Sequence, residues 1–575
     1  MSTNISKQKR DALLYKINQI KNYISAAPQD ENTANLLTYI GELTKEINGK
    51  KYGLVFEEHR EKIDELLEEN APVLVEQEDL FIDNGGEMNF LIEGDNLAAL
   101  KLLEKTHKGK IDVIYIDPPY NTGNKDFIYD DDYVDSDDEF RHSKWLSFME
   151  KRLKIAKKLL SDAGVIFISI DENEKNALKI QCDEYFGEEN YIADFCWRKK
   201  TGANDSKDIS VLTEYILCYT KNRKFTLEKD IWNHDSSTRD ESRFKLSDEF
   251  ESIRGKFYFD TLDRGGLQYS DSMNFGIEAP DGGIIYPNGR KTFFNDGWIW
   301  KWSKEKIQWG IKNKFLEFVE SNKSSGSKYT IKYKVYQNVD NEGNLRKKIG
   351  RAYSNLILDP INQIGNSEIN NIFHTPNVFS NPKPIGLINY LLLTINNKNS
   401  VILDFFAGSG TTGHAVMKLN AEDGGNRKFI LCTNNENNIC QDVTYQRLKT
   451  VITGKRKDGS DYEENYKASL KYFKIDYLPI KEKMYYEYAD ELLEHIKELV
   501  ELENAIDFNT NKSVAIVLDD DELDDFIENI ADYPKCKTLY MGHDVLTSYQ
   551  QEQIIKAHGI TINIVPNYYY RDLAN

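Results

Sequence analysis

The pattern of apolar and polar positions changes character several times along the chain. Leu13, Leu14, Ile17, Ile20 and Ile24 recur at three- to four-residue spacing, which predicts a helix. The polar, amphipathic stretch Glu57–Asn70 predicts another. From about residue 88 short apolar runs alternate with helical periods. Asn89–Ile92 reads as a strand ending in Gly94-Asp95-Asn96, and Leu97–Glu104 as a helix. Ile111–Ile116 is a buried-strand pattern, Lys144–Leu160 a helix stopped by Gly164, and Val165–Ile170 the next strand. Asp171-Glu172-Asn173 caps a further helix, and Phe195–Trp197 and Tyr215–Tyr219 read as strands.

Residues 226–370 break this alternation. They are rich in Gly, Asn, Asp, Tyr and Trp and hold no sustained helical period, so they read as an inserted, loop-rich unit. Alternation resumes with a helix at Pro384–Asn396, a strand at Ser400–Asp404, a helix at Thr412–Leu419 and a strand at Lys428–Cys432. Beyond it Leu470–Pro479 (strand), Glu491–Asn504 (helix), Ser513–Leu518 (strand) and Asp520–Glu528 (helix) suggest a separate α/β unit. The predicted organisation is a helical region over 1–75, an α/β core split between 76–225 and 371–455, the insert at 226–370, and a C-terminal α/β domain over 456–575. Strands alternating with helices at this spacing imply a largely parallel sheet covered on both faces.

Composition then narrows the class. A chain of 575 residues with 40% hydrophobic and 12% aromatic content can bury a large core and is not a disordered chain. Its net charge of −20 argues at first against a nucleic-acid partner. The N-terminal stretch MSTNISKQKRDALLYKINQIKNYI has no apolar signal core, and Gly386–Ile395 is far short of a spanning helix. The six cysteines show no CxxC spacing, which reads as buried, reduced thiols in a cytoplasmic protein.

Two motifs carry chemistry. Asp117-Pro118-Pro119-Tyr120 stands at the carboxyl end of a predicted strand, where open α/β sheets bind ligands. The diproline fixes the backbone and removes two N–H donors, leaving carbonyl oxygens to accept. An acidic acceptor, a fixed carbonyl and an aromatic ring suit an exocyclic amino group on a flat base. Asp117 and the Pro118 carbonyl would accept both amino hydrogens, and Tyr120 would stack on the ring. The second motif runs Asp404-Phe405-Phe406-Ala407-Gly408-Ser409-Gly410-Thr411-Thr412 between a strand and a helix. Its glycines let backbone approach a ligand closely. It has neither the spacing of a dinucleotide fingerprint nor the Lys of a P-loop. It points to a nucleoside and amino-acid ligand such as S-adenosylmethionine, with Glu436 after the next strand as the candidate for the ribose hydroxyls.

With these motifs in this order, the chain resembles amino-group DNA methyltransferases of the permuted β class. The strings FLIEGDNLAALKLL, IDVIYIDPPYNTGNKDFIYDD, KWLSFMEKRLKIAKKLLSDAGVIFISIDENE and FSNPKPIGLINYLLL…VILDFFAGSGTTGHAV resemble the Mod subunits of type III restriction–modification systems. The likeness covers roughly 88–225 and 370–480. It implies a Rossmann-like, circularly permuted S-adenosylmethionine-dependent methyltransferase sheet, with a target-recognition domain in the insert. It places Asp95, with Asn96 beside it, at the adenine ring of the cofactor, and Lys383 and Pro384 in the wall of the cofactor pocket. Asp404, Phe405, Phe406, Gly408, Ser409, Gly410 and Thr411 would wrap its methionine and ribose parts. In VLTEYILCYTKN, Thr213 stands where relatives often carry His, so no catalytic role is assigned there, though Tyr215 could help pack the base pocket.

The implied reaction is direct methyl transfer to adenine N6 in double-stranded DNA after base flipping, with no nucleophilic Cys and no metal. The candidate DNA contacts are Lys199 and Lys200 at a strand end, and a basic set in the insert. Between Lys323 and Arg351 that set counts eight basic residues, including Lys328, Lys332, Lys334, Arg346, Lys347, Lys348 and Arg351, against Asp340 and Glu342. Tyr329, Tyr333 and Tyr336 are interleaved with it. The acidic loop Asp126–Glu139 reads as solvated. The resemblance also suggests a homodimer and a helicase and endonuclease partner. The competing readings are an orphan adenine methyltransferase without a nuclease, and an amino-group methyltransferase acting on RNA or protein.

Overall fold

The computed structural model describes residues 5–26, 31–48, 56–123, 126–129, 132–202, 208–266, 268–321, 326–480, 492, 495–542 and 544–565. Lys323 of the basic set, Asp130 and Asp131 of the acidic loop, and Glu491 lie outside the described residues. The chain divides into two compact units. One comprises Met1–Ile231, Asn355–Leu392 and Asn397–Asn575, and the other Trp232–Ser354 with Leu393–Asn396.

The first unit is α/β. Ten strands form its central sheet: β1 (Asn70–Glu76), β2 (Glu87–Glu93), β3 (Ile111–Ile116), β4 (Leu160–Ile170), β5 (Tyr191–Arg198), β6 (Thr213–Thr220), β7 (Leu356–Ile357), β8 (Val401–Asp404), β9 (Lys428–Thr433) and β10 (Ala468–Pro479). Their order is β1-β10-β2-β9-β8-β3-β4-β6-β5-β7. The run from β10 through β2, β9, β8 and β3 to β4 is parallel. These strands read as continuous apolar segments because both faces are covered. Val113 to Ile116 of β3, and Ile402 and Leu403 of β8, are buried. The helix Asn96–Thr106 buries Leu97, Leu100, Leu102 and Leu103, and packs on the helix Arg141–Leu159, which buries Trp145, Met149 and Leu153.

Three features depart from the expected organisation. First, the sheet is largely parallel, as expected, but it also holds antiparallel pairs. β6 runs antiparallel to both β4 and β5, and β1 antiparallel to β10. Periodicity reports burial, not strand direction, so the sequence could not show this. Second, Leu470–Pro479, expected in the C-terminal domain, is β10 and pairs with β2. The central sheet therefore runs past residue 455. Towards the C-terminus, β11 (Val514–Val517), β12 (Thr538–Met541) and β13 (Thr561–Ile564) form a separate small parallel sheet. Val517, Leu523, Phe526, Leu539 and Ile555 give it a core of its own. Third, residues 355–370 fall in the first unit, not in the insert. Leu356–Ile357 extends the central sheet beside β5, and the Trp197 indole donates to the Pro360 carbonyl at 2.7 Å.

The second unit is less loop-like than its composition suggests. Phe257–Thr261, Tyr329–Tyr336 and Leu316–Glu320 form a three-stranded antiparallel sheet with the long strand central. Its core gathers Phe257, Leu262, Trp300, Trp302, Phe315, Ile331, Tyr333 and Tyr336.

Candidate functional site

The two motifs lie far apart in sequence, and the sheet makes them neighbours. β3 and β8 are adjacent parallel strands, with Val113 opposite Ile402 and Ile114 opposite Leu403. Both motifs therefore leave the sheet at its carboxyl edge, where ligand crevices form in α/β sheets. A cavity of about 1010 Å³ opens there. Asp117, Pro118, Pro119 and Tyr120 line it together with Phe405, Phe406, Gly408 and Glu436. Asp95, Asn96, Lys199, Lys200 and Lys383 line it as well.

The diproline turn is held from behind. The Trp145 indole donates to the Pro119 carbonyl at 2.7 Å. Asn121, with a left-handed φ of 57°, donates to the buried Glu174 carboxylate at 2.6 Å, which the His142 ring meets at 2.5 Å. In front of the turn, the Tyr120 hydroxyl donates to Asp117 Oδ1 at 2.9 Å and lies 3.2 Å from Glu214 Oε2. The Lys383 ammonium donates to Asp117 Oδ2 at 2.8 Å, with Glu214 Oε2 at 3.6 Å. Lys199 Nζ sits 3.1 Å from Glu214 Oε1. Burial pushes the Tyr120 phenol well up, with Asp117 and Glu214 adding to it, so it stays a proton donor. Burial pulls Lys383 down, but Asp117 and Glu214 overcome that and hold it above its ordinary value. Burial raises Glu214, and Lys383 and Lys199 overcome it, leaving its carboxyl below the usual range.

The glycine-rich turn is held in the same way. Gly408 and Gly410 take left-handed φ values of 49° and 75°. The Thr444 hydroxyl donates to the Gly408 carbonyl at 2.6 Å. A Cβ on Gly408 would stand 3.2 Å from Cζ of Phe379, another cavity residue. Asn96 donates to the Phe405 carbonyl at 3.0 Å and receives Arg152 Nε at 2.6 Å. Asp95 caps its helix by accepting from Leu97 N at 2.7 Å.

Several expected site residues stand elsewhere. Asp404, Ser409, Gly410, Thr411 and Pro384 are not among the residues lining the cavity. The Asp404 carboxylate folds back into its own turn, accepting from Phe406 N at 3.0 Å and Thr412 Oγ1 at 2.5 Å. Burial raises its pKa to about 7. Ser409 and Thr411 face the buried Arg447, whose Nη1 donates to Thr411 Oγ1 at 2.8 Å. Lys383, by contrast, lines the cavity, with its ammonium on Asp117. Lys199, expected on phosphate, has its ammonium on Glu214.

In the second unit, Lys334 leaves the basic surface set: it is 8% exposed, with Nζ 2.8 Å from Asp248. Lys328, Lys347 and Arg351 are exposed, and Lys332, Arg346 and Lys348 half-buried. Tyr333 and Tyr336 are core residues whose hydroxyls donate to Asp260 at 2.8 Å and Asp248 at 2.5 Å. They do not interleave with an exposed basic strip, because both rings are buried in this unit's core.

Glu214 is a charged cavity residue that the sequence motifs did not single out. Tyr215, considered in its place, lies under the Lys175 ammonium at 3.8 Å from the ring centroid and does not line the cavity. Strand parity separates the two. The available signal was a lone carboxylate at the start of the otherwise apolar strand Thr213–Thr220.

Fold and site together define an α/β protein whose ligand cavity opens where two motif-bearing parallel strands end. The sequence model of the family described as DNA methylase matches residues 111–445, and the chain belongs to that family. It is 32% identical over 395 residues to the type III restriction-modification enzyme StyLTI Mod subunit of Salmonella typhimurium, covering 64% of this chain and 56% of that one. It is 32% identical over 407 residues to the EcoP15I Mod subunit of Escherichia coli, covering 60% and 58%. It is also 32% identical over 398 residues to the type II methyltransferase M.KpnI of Klebsiella pneumoniae, covering 67% of this chain and 89% of that one. The matches thus span a little over half the length of the two Mod subunits.

Proposed function

We propose that this chain is an S-adenosylmethionine-dependent DNA methyltransferase that modifies adenine N6 in double-stranded DNA. The observation that carries the reading is the cavity shared by Asp117-Pro118-Pro119-Tyr120 and the turn at Phe405, Phe406 and Gly408. The residues present fit the cofactor. Gly408 leaves open the space a Cβ would fill against Phe379, Phe405 and Phe406 offer apolar surface, and Asp95 and Glu436 offer acceptors to hydroxyl and amino groups. When bound, S-adenosylmethionine supplies a methyl group on a positively charged sulfur.

The chain's own residues then have three tasks. The adenine must leave the helical stack, at a cost of about a few kcal/mol, and the Tyr120 ring offers it a stacking partner in the cavity. Asp117 and the Pro118 carbonyl accept the two amino hydrogens, which turns the nitrogen lone pair out of conjugation with the ring. The diproline turn, held by Trp145 and Asn121, keeps these acceptors in place so that the barrier falls by alignment. The insert, Trp232–Ser354, would read the target, with Lys328, Lys347 and Arg351 as phosphate contacts.

The names of the Mod relatives support a modification subunit of a type III system that works with a restriction subunit; a homodimer in the cytoplasm is the setting proposed with it. The 89% coverage of M.KpnI favours a second setting, a modification enzyme that acts without such a subunit. A neighbouring reading frame with helicase motifs separates the two settings. The reaction is tested by transfer of a tritiated methyl group from the cofactor to unmethylated duplex DNA, with RNA and protein as controls. Label is expected on adenine N6 of DNA only, and Asp117→Ala is expected to remove it while the protein stays folded. Near wild-type labelling by Asp117→Ala, or label on RNA or protein instead, would refute the assignment.

A further inference from the structure

Asp117 holds two donors. Tyr120 donates to one of its oxygens at 2.9 Å and Lys383 to the other at 2.8 Å. An ammonium on a carboxylate weakens that carboxylate as an acceptor for anything else, because the cation neutralises the charge that attracts a further hydrogen. The target amino group needs Asp117 as a strong acceptor, so the site gains if the two donors find another place. They cannot be left without one. The Lys383 side chain is only 10% exposed, and a buried ammonium or hydroxyl without an acceptor is strongly disfavoured.

A second carboxylate lies within reach of both donors. Glu214 Oε2 stands 3.2 Å from the Tyr120 hydroxyl and 3.6 Å from the Lys383 ammonium. Its other oxygen is 3.1 Å from Lys199, which holds the carboxylate in place. Glu214 is on β6, Asp117 follows β3 and Lys383 precedes the helix Ile385–Leu393, so the three groups converge from different elements. Two carboxylates and two ammoniums balance, and exchanging partners within the set leaves the charge of the site unchanged.

We propose that Glu214 is a positioning residue for the reaction, a standing second acceptor that takes over Tyr120 and Lys383 when the target amino group engages Asp117. The proposal rests on the adenine-N6 reading above. Glu214 touches neither base nor cofactor in this scheme. It acts by letting Asp117 exchange partners without stranding a buried donor, and by keeping Lys383 close while it does so.

The test uses the full chain, tritiated S-adenosylmethionine and unmethylated chromosomal DNA from a host lacking this protein. Glu214→Ala, Glu214→Gln and Glu214→Asp are compared with wild type for kcat, KM for DNA and Kd for the cofactor. Glu214→Ala is expected to lower kcat about 100-fold, the scale of a misplaced reacting group. KM and cofactor Kd should stay within about threefold, since the defect is confined to the reacting arrangement. Glu214→Asp, which keeps the charge, should recover part of the loss, and Glu214→Gln, which keeps the size, should recover less. In a Tyr120→Phe background, where one donor needs no new acceptor, the further loss from Glu214→Ala should be smaller than in wild type. Wild-type kcat in Glu214→Ala, or a loss seen only in KM or cofactor Kd, overturns the proposal and leaves the methyltransferase reading standing. A wild-type protein that binds the cofactor and labels no DNA overturns that reading, and this proposal with it.

Discussion

Asp404 allows a test of whether a motif residue holds the ligand or the turn. Asp404 is 2% exposed, its carboxylate accepts from Phe406 N and Thr412 Oγ1, and it is not among the residues lining the cavity. Burial raises its pKa from 3.8 to about 7, against the pull of those two hydrogen bonds. A carboxyl raised in the folded state is neutral in the fold while the unfolded chain has already ionised. It therefore costs stability progressively as pH rises from about 4 to about 7, and the cost is constant above that. At about 1.4 kcal/mol per pH unit, the full penalty is about 4 kcal/mol. Asp404→Asn removes the titration. Its carboxamide oxygen can accept from Phe406 N, and its amide can donate to Thr412 Oγ1 once that hydroxyl turns, reversing the direction of the wild-type hydrogen bond. Urea unfolding of both proteins at pH 5, 6.5 and 8 is the assay. The variant should gain on wild type by about 3 kcal/mol between pH 5 and pH 8, because most of the penalty develops in that window. Its Kd for S-adenosylmethionine should stay within about threefold of wild type, since the side chain is spent on the turn. A pH dependence that survives the substitution would refute the burial argument. A collapse of cofactor affinity with the fold intact would return Asp404 to the ligand site.

Two further perturbations address the cofactor turn and the sheet. Gly408→Ala places a Cβ 3.2 Å from Phe379 at a φ of +49°, so cofactor affinity measured by calorimetry should fall about tenfold, on the scale of left-handed strain; unchanged affinity would show that the turn does not shape that wall. Lys471, fully buried on β10, has Nζ 2.9 Å from Glu76, 2.5 Å from Glu501 and 2.9 Å from Asp507. Lys471→Met strands these carboxylates and should cost about 3–5 kcal/mol in urea unfolding, the usual result of removing one partner from a buried ion cluster. The loss should be larger at pH 8 than at pH 6, because Glu501, which burial raises to about 7, ionises between them. An equal loss at both values would show that Glu501 is not part of the cluster's titration.

What the amino-acid order determined by itself is local. The apolar runs at Ile111–Ile116, Val401–Asp404 and Lys428–Thr433 are legible as strands because a buried parallel strand needs nothing but consecutive apolar residues. The two motifs are legible for a similar reason, since each concentrates its chemistry in a few adjacent positions at a strand end. Whole-chain charge says little about partners, because charges act in their immediate surroundings. Tertiary structure alone decided the direction of β6, the joining of β10 to the sheet, and the destination of each charged side chain. Lys383 meets Asp117 across 266 positions, and Tyr120 meets Glu214 across 94. Lys334 and Tyr336 look like surface groups in sequence and are held inside by Asp248. The physical reason is the same in each case. Backbone form follows from neighbours within one helical turn or strand pair, whereas a buried charge is stable only beside the opposite charge, and the fold alone brings that partner.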